Sequence, residues 1–245
     1  MRVLQPSLPL RNYVSHYWLS LNNSDQTFSI LPDGAVDVVI AARETNRRLN
    51  VFGTTTLRTE LPIEVGAHYL GIRFRPGQSR HFMNVLASEL TDAVHPAAGL
   101  FVTDVCEMAD SMAVDRLLTQ LDSLLISHLK YRPPQDSRID CVVRHIEATQ
   151  GMVPVAQLAD MFGKSRRQFE RHFFDVVGLS PKLFAQIVRF QRASNLLANS
   201  SWPLVQIAME LGFSDQSHFT HEFGRFFGQP PSRARRDVAF LQDMN

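Results

Sequence analysis

An internal repeat in the carboxy-terminal half constrains this 245-residue chain more than any other feature. Residues 154–181 and 203–231 share one order of prolines, apolar residues, a glycine and phenylalanines. The offset between the copies is 49 residues before the central glycine and 50 after it, so one residue is inserted in the turn. The matching pairs are Pro154/Pro203, Gln157/Gln206, Leu158/Ile207, Ala159/Ala208, Phe162/Leu211, Gly163/Gly212, Phe169/Phe219, Phe173/Phe223, Gly178/Gly228 and Pro181/Pro231. A repeat of this kind indicates two copies of one packing unit.

The second copy predicts two short helices joined by a tight turn. Apolar residues recur at helical spacing from Leu204 to Leu211, and Gly212 follows where a left-handed residue often ends a helix. Ser214 or Asp215 can cap a second helix, whose first N–H groups need an acceptor. That helix has a stripe of phenylalanines at positions 219, 223 and 226 or 227, and prolines at 230 and 231 end it.

The outward face of this second helix is unusual in composition. It carries short or planar hydrogen-bonding side chains instead of a Lys/Glu mixture: Gln216, Ser217, His218, Thr220 and His221. A helix-turn-helix with such a face suits contact with base edges in a major groove, and the alternative is a surface hairpin with a polar outer side. The duplication favours the first interpretation.

Between the two copies, residues 182–199 predict one helix of about five turns with an apolar stripe. At 1.5 Å per residue it would hold the two units roughly 25–30 Å apart. This is close to one turn of B-DNA, so two recognition helices could enter successive major-groove segments on one face.

The region from about Ser137 to Val238 resembles the DNA-binding domain of the AraC/XylS family of bacterial transcription regulators. The motifs that carry the resemblance are AQLADMFGKSRRQFERHFFDVVGLSP, RFQRASNLLANS, QIAMELGFSDQSHFTHEFGRFFGQPP and the closing SRARR. The resemblance implies a bipartite reader of double-stranded DNA, activation of transcription and contact with RNA polymerase. Two departures are His221, where many members carry Arg, and PSRARR, where members often have an aromatic residue before the Arg.

The resemblance and the side-chain chemistry together predict two sets of DNA contacts. Arginine suits guanine, glutamine suits adenine, and Glu170 would accept from cytosine or pair with a neighbouring Arg. The predicted base contacts are Arg167, Glu170, Arg171, Gln216, Ser217, His218 and His221. The predicted phosphate contacts, which set register without reading sequence, are Lys164, Ser165, Arg166, Arg189, Arg192 and Ser214.

Charge and composition agree with this interpretation without deciding it. Residues 1–137 hold 12 basic and 14 acidic residues, and the rest hold 13 and 10, so basic charge lies towards the carboxy terminus. No secretory signal or apolar run of membrane-spanning length is present, so we expect a cytoplasmic protein. Cys106 and Cys141 lack metal-ligand spacing and are expected to be buried.

The amino-terminal part predicts an α+β protein in which a β-rich, barrel-like domain precedes the all-α one. The expected strands cover residues 13–21, 27–31, 35–41, 49–55 and 61–74, the last as more than one strand around Gly66 and Gly71, and a helix over 78–86 follows. The stretches LPDG and GIRFRPG are similar to an amino-terminal domain of unassigned function in some AraC-type regulators. The predicted boundaries are residues 1–131 for this domain, 132–137 for a Pro-rich linker and 138–245 for the DNA-binding domain.

In the wider family such a barrel commonly binds a small effector, dimerises or does both. Arg73 and Arg75 alternate with apolar residues, so both face one side, where they would clamp an anion if that side is interior. Trp18, Tyr69 and Phe74 would line a pocket or form plain core. The pattern of histidines predicts no metal site, no cofactor is expected, and no nucleophile motif supports an enzyme. Asp33 and Asp37 fit turn chemistry better than a catalytic pair.

The last feature of this half is a helix predicted over residues 104–131 with a wide apolar face. It would pack on the barrel or pair with a second chain, and paired DNA sites favour a homodimer. The control input is expected to be a small-molecule effector, with a protein partner of the amino-terminal domain as the alternative.

Overall fold

The computed structural model describes residues 1–43, 46–101, 114–131 and 138–235. The amino-terminal half is β-rich and the carboxy-terminal half is helical, which confirms the predicted α+β class. The predicted linker and Cys106 lie outside the described residues. In the described ranges no helix combines the length and apolar character needed to cross a bilayer.

The amino-terminal half contains eight strands in the described part of the chain. Those at residues 14–20 and 27–30 follow the predicted bounds closely, and the stretch predicted over 61–74 is divided between two strands that lie on either side of Gly66. The helix expected over 78–86 is one short 3₁₀ turn, Gln78–His81, with another at Ala87–Glu89. The strands are β1 Arg2–Leu4, β2 Val14–Ser20, β3 Thr27–Ile30, β4 Asp37–Arg43, β5 Asn46–Phe52, β6 Thr59–Pro62, β7 His68–Phe74 and β8 Val94–Pro96.

These strands form a six-stranded antiparallel sheet in the order β1-β2-β7-β4-β5-β8, and β3 pairs with β6 in a small second sheet. Because side chains alternate along a strand, the large sheet has two distinct faces. One face carries Leu19, Val38, Ile72 and Phe74 into the domain core. The other face is turned towards the small sheet, and a cavity lies between the two.

Helix α1, Val114–Tyr131, covers the core face of the large sheet. Leu121 and Leu125 are buried in that core, and Tyr17 donates a hydrogen bond of 2.7 Å to Asp122. Of the two alternatives for the apolar face of this helix, packing on its own domain is therefore observed for at least part of the face.

The carboxy-terminal half consists of six helices in the described residues. They are α2 Arg138–Ala148, α3 Val155–Phe162, α4 Arg166–Val177, α5 Pro181–Asn199, α6 Leu204–Glu210 and α7 Gln216–Phe227. The predicted phenylalanine stripes form the centre of one shared core, in which Phe169, Phe173, Phe219 and Phe223 are buried. Cys141 departs from expectation because it lies on the exposed side of α2, off the apolar stripe of that helix.

The two halves are joined by specific polar contacts. Asp140 of α2 is almost buried and accepts hydrogen bonds from Gln78 at 2.9 Å and from Arg80 at 2.8 Å. Thr91 donates to the carbonyl of Gly178 at 2.6 Å, directly after α4. Because the Gln78–Asp140 bond is buried and the other two are partly buried, these bonds are stronger than exposed ones and help to fix the domains to each other.

A second group of contacts joins the amino-terminal domain to the other helix-turn-helix unit. The backbone N–H of Arg58 donates to the carbonyl of Phe226 at 3.0 Å, and its guanidinium lies 4.8 Å from the centre of the Phe227 ring. The amino-terminal domain thus contacts the carboxy-terminal ends of both α4 and α7.

Candidate nucleic-acid interface

The first unit, α3 and α4, owes its geometry to signals visible in the sequence. Gly163 ends α3 with φ of 71°, a left-handed conformation that glycine adopts without steric cost. Ser165 then caps α4 by accepting from the backbone N–H of Gln168 at 3.4 Å. The buried phenylalanine stripe turns the opposite face of α4 outward.

The second unit, α6 and α7, repeats this arrangement. Gly212 has φ of 69°, and Asp215 caps α7 by accepting from the N–H of His218 at 2.7 Å. That hydrogen bond, followed by one from Ser214, lowers the pKa of Asp215. Asp215 is therefore ionised as a cap, and its charge is matched to the positive end of the helix dipole.

The predicted base-contacting side chains lie on the outer faces of the two capped helices. Arg167 and Arg171 of α4 are exposed, and Glu170 is half-buried. Gln216, Ser217, His218 and His221 of α7 are all exposed. Glu170 accepts a hydrogen bond from Arg166 at 2.8 Å. In the absence of DNA, Glu170 therefore pairs with a neighbouring arginine, as one of its two predicted roles required.

The predicted phosphate contacts divide into two groups. Lys164, Ser165, Arg166 and Ser214 are exposed at the amino-terminal ends of the recognition helices. Arg189 is instead bound internally: it donates to Glu222 at 2.8 Å and its guanidinium lies 4.3 Å from the centre of the Phe213 ring.

Arg192 also departs from the expected position. It lines a cleft between the domains, beside Arg75 and Glu147. The guanidinium of Arg189 is bonded within the domain, and Arg192 lies away from the outer faces of α4 and α7. We therefore remove both arginines from the proposed phosphate contacts.

The predicted effector residues do not all meet in one place. Trp18, Tyr69 and Arg73 line the cavity between the two sheets. Phe74 is on the opposite face, fully buried and stacked on Phe82 at 5.1 Å, because adjacent strand residues point to opposite sides. Of the two predictions for Phe74, pocket lining or hydrophobic core, the second is correct. Arg75 follows β7, is exposed, and donates to the carbonyl of Arg11 at 2.7 Å.

Arg73 does not present a free guanidinium to the cavity. One terminal nitrogen donates to Asp33, and the other donates to Asp37 at 3.2 Å. Asp37 also accepts from the indole N–H of Trp18 at 3.1 Å, and Asp33 accepts from the backbone N–H of Ala35. Sequence reasoning assigned these aspartates to turn chemistry; their partnership with an arginine some 40 residues away had no local signal.

Burial dominates the titration of the groups around the cavity. It raises the pKa of Asp37 to about 7, opposed by the hydrogen bond from Trp18. Burial lowers the pKa of Arg73 to about 10. Burial and then the positive charges of Arg73 and Arg75 lower the pKa of His16 to about 4, so His16 is neutral at physiological pH.

Two capped helix-turn-helix units on one connecting helix, each with an outward polar face, define the carboxy-terminal half as a double helix-turn-helix domain. Residues 158–237 match a family model described as a helix-turn-helix domain, and residues 2–96 match a domain of unknown function, DUF6597. The chain therefore carries a helix-turn-helix domain, as the sequence motifs predicted, behind a region that matches DUF6597.

Curated relatives match part of the chain. The chain is 44% identical over 31% of its length to the HTH-type transcriptional regulator ExsA of Pseudomonas aeruginosa, covering 27% of that protein. It is 41% identical over 33% of its length to the virulence regulon transcriptional activator VirF of Yersinia enterocolitica, covering 30% of that protein. The chain thus spans less than a third of these relatives.

A similar solved structure is a transcriptional regulator with an AraC-type DNA-binding domain from Chromobacterium violaceum. It is 31% identical, the match covers 42% of this chain and 92% of that one, and the TM-score is 0.39.

Proposed function

We propose that the chain is a sequence-specific transcription regulator whose two recognition helices, α4 and α7, read adjacent major-groove segments of double-stranded DNA. One observation supports this most directly. The amino-terminal halves of both helices are capped, polar and exposed, and the unbroken 19-residue helix α5 separates the two units. A helix of that length spans about 28 Å, near one turn of B-DNA.

The proposed roles follow from donor geometry. Arg167 and Arg171 would each bind guanine through two parallel hydrogen bonds, and Gln216 would bind adenine. His218 and His221, with Ser217, would complete the second segment. Lys164, Ser165, Arg166 and Ser214 would bind phosphates and set the register. Arg166 must release Glu170 to do so, which costs little because both side chains are substantially exposed.

Replacement of Arg171 separates base reading from phosphate binding. For Arg171→Ala we expect a loss of about 1–3 kcal/mol on a selected site and a much smaller loss on a scrambled sequence. The measurement is a binding titration on both duplexes at one salt concentration. An equal loss on the two would mean that Arg171 contacts only phosphate.

Replacement of Lys164 is the complementary test. Lys164→Ala should weaken binding to any sequence and reduce the slope of log K against log salt by about 1, because one phosphate contact is lost. Titrations at several salt concentrations give the slope. An unchanged slope would remove Lys164 from the phosphate set, and Arg171→Ala serves as the comparison.

For control of DNA binding we propose a small-molecule effector held by the amino-terminal domain. The cavity that Trp18, Tyr69 and Arg73 line supports this choice over a protein partner, because its volume of about 370 Å³ suits a small ligand. The relatives named as activators support activation. RNA polymerase is proposed as the partner on the family resemblance of the sequence alone. We do not propose a dimer through the face of α1 that packs on the sheet.

A further inference from the structure

The cavity lies where three parts of the molecule meet. The large sheet contributes Trp18, Asp37 and Arg73, and the small sheet contributes mainly apolar side chains. The third wall belongs to the DNA-binding domain: Gln191 and Ser194 of the connecting helix α5 line the same cavity. A ligand in this space would therefore touch both domains at once.

The charged groups of the cavity favour a cation. The described residues that line it include three aspartates, Asp25, Asp33 and Asp37, against the guanidinium of Arg73 and the amino-terminal Met1, while His16 is neutral at pH 7. Asp37 has a pKa of about 7, so a cation bound beside it would favour its ionised form. Each terminal nitrogen of Arg73 donates to an aspartate, so a ligand anion at this guanidinium would meet two carboxylates that already offset its charge. Each carboxylate oxygen has a second lone pair, which leaves acceptors for an additional donor.

The rest of the lining is suited to an apolar body. These side chains come from both sheets and are half-buried or buried beside the charged groups: Phe28, Ile30, Val39, Phe52, Leu61 and Ile63. A ligand with one polar end and a flat or compact apolar part fits such a lining, because the apolar area removed from water supplies affinity while the polar end fixes orientation.

Ser194 is the independent sign that the cavity is built for a ligand. Its side chain is 1% exposed, and its hydroxyl has no hydrogen-bond partner among the described residues. A buried hydroxyl without a partner costs free energy, and alanine would avoid that cost in a helix. Ser194 lies three residues after Gln191, which donates to the carbonyl of Pro32 at 3.1 Å, so this face of α5 is turned to the amino-terminal domain.

We propose that the cavity binds a small cationic molecule, an amine or amidine with an apolar body, whose charged end faces Asp33 and Asp37 and which hydrogen-bonds the hydroxyl of Ser194. This inference rests on the proposed effector control and names its chemical class. It replaces the anion that the sequence allowed if Arg73 faced the interior. Through Ser194 the ligand bears directly on α5, the helix that spaces the two recognition helices.

Three probes of matched shape and different charge test the class of ligand. Full-length protein is titrated with benzamidine, benzamide and benzoate, and binding is followed by broadening of the probes' proton NMR signals. We expect benzamidine to bind at millimolar concentration, as suits a fragment, and at least tenfold more tightly than the other two. Equal binding of the three, preference for benzoate or the absence of benzamidine binding would overturn the proposal.

Two variants place that binding in the cavity. Asp37→Asn replaces a carboxyl group, which a bound cation would hold ionised, by a neutral amide of similar shape, and Ser194→Ala removes the unpartnered hydroxyl. Each should weaken benzamidine binding at least fivefold. Ser194→Ala should also leave the melting temperature unchanged or higher, because it removes an unsatisfied group. A role confined to folding would instead lower the melting temperature without changing the affinity, and that result would contradict the proposal.

Asp140→Asn is the matched control, because Asp140 is another nearly buried carboxylate paired with an arginine at the domain boundary, outside the cavity. It should leave benzamidine binding unchanged, and a loss equal to that of Asp37→Asn would refute the assigned location. If Asp37→Asn fails to fold, Ser194→Ala alone decides. Because no DNA is present, failure of this test is separate from failure of the proposed DNA binding, which is measured without probe.

Discussion

At the scale of single residues, buried charges in this molecule join elements that are distant in the sequence. Arg189 of α5 and Glu222 of α7 are bonded at 2.8 Å, and Gln186 donates to the second carboxylate oxygen at 2.9 Å. Glu222 therefore ties the connecting helix to the second recognition helix. The pair is desolvated, so removing one partner would leave an uncompensated charge and destabilise the fold.

The pH dependence of stability tests the environment of His16. Its pKa is about 4 in the folded protein, against an ordinary value of about 6.5. The unfolded chain therefore binds the proton first, and the free energy of unfolding falls as pH drops from about 6.5 to 4. Asp37, with its raised pKa, acts in the opposite sense over a similar range, so the test is a comparison with a variant.

We expect His16→Gln to lose less stability than the wild type between pH 7 and pH 4.5, because the variant has no imidazole to protonate. Urea unfolding at the two pH values gives the difference. Parallel losses in both proteins would show that His16 titrates alike in the folded and unfolded states.

At the scale of elements, the helices of the carboxy-terminal half could be predicted from the sequence, and the sheet order and the 3₁₀ turn at Gln78–His81 could not. Caps, left-handed glycines and phenylalanine stripes act within a few residues, so the bounds of α3 to α7 lie close to those expected. Strands β1 and β8 are three residues long and show no usable alternation. The neighbours of β7 are set by packing over the whole domain, and so is the pairing of Arg73 with two aspartates.

Gly34 is constrained by a contact between the domains that the sequence did not indicate. It directly follows Asp33, for which the sequence indicated turn chemistry, but its main constraint is a close approach: a Cβ at this position would overlap the ring of Phe184 in α5. Phe184 is 1% exposed and packs against Phe173, so the ring cannot move aside freely. Only the folded two-domain arrangement contains this contact.

We therefore expect Gly34→Ala to destabilise the protein by about 1–3 kcal/mol through overpacking between the domains. Gly224→Ala is the matched control. It lies inside α7, where a Cβ would meet nothing closer than 3.8 Å, so alanine should stabilise the helix by up to about 1 kcal/mol. Urea unfolding of both variants measures the effect, and a Gly34→Ala protein as stable as the wild type would refute the close approach.

At the scale of the whole molecule, the amino-terminal domain holds the DNA-binding domain from one side. It contacts Gly178 after α4 and Phe226 at the end of α7, while the capped amino-terminal ends of the two helices stay exposed. The same domain packs on α5, where Gly34 lies against Phe184 and the carbonyl of Pro32 accepts a hydrogen bond from Gln191. A change in the cavity could thus alter both recognition helices together without blocking either face.

The central claim is that α4 and α7 read two adjacent segments of one duplex. Selection of bound sequences from random double-stranded DNA by the full-length protein tests it most directly. We predict an enriched motif of two elements whose centres are about one helical turn apart, with Arg171→Ala relaxing one element and Gln216→Ala the other. Enrichment of no sequence, or of a single element that both variants affect alike, would contradict the account.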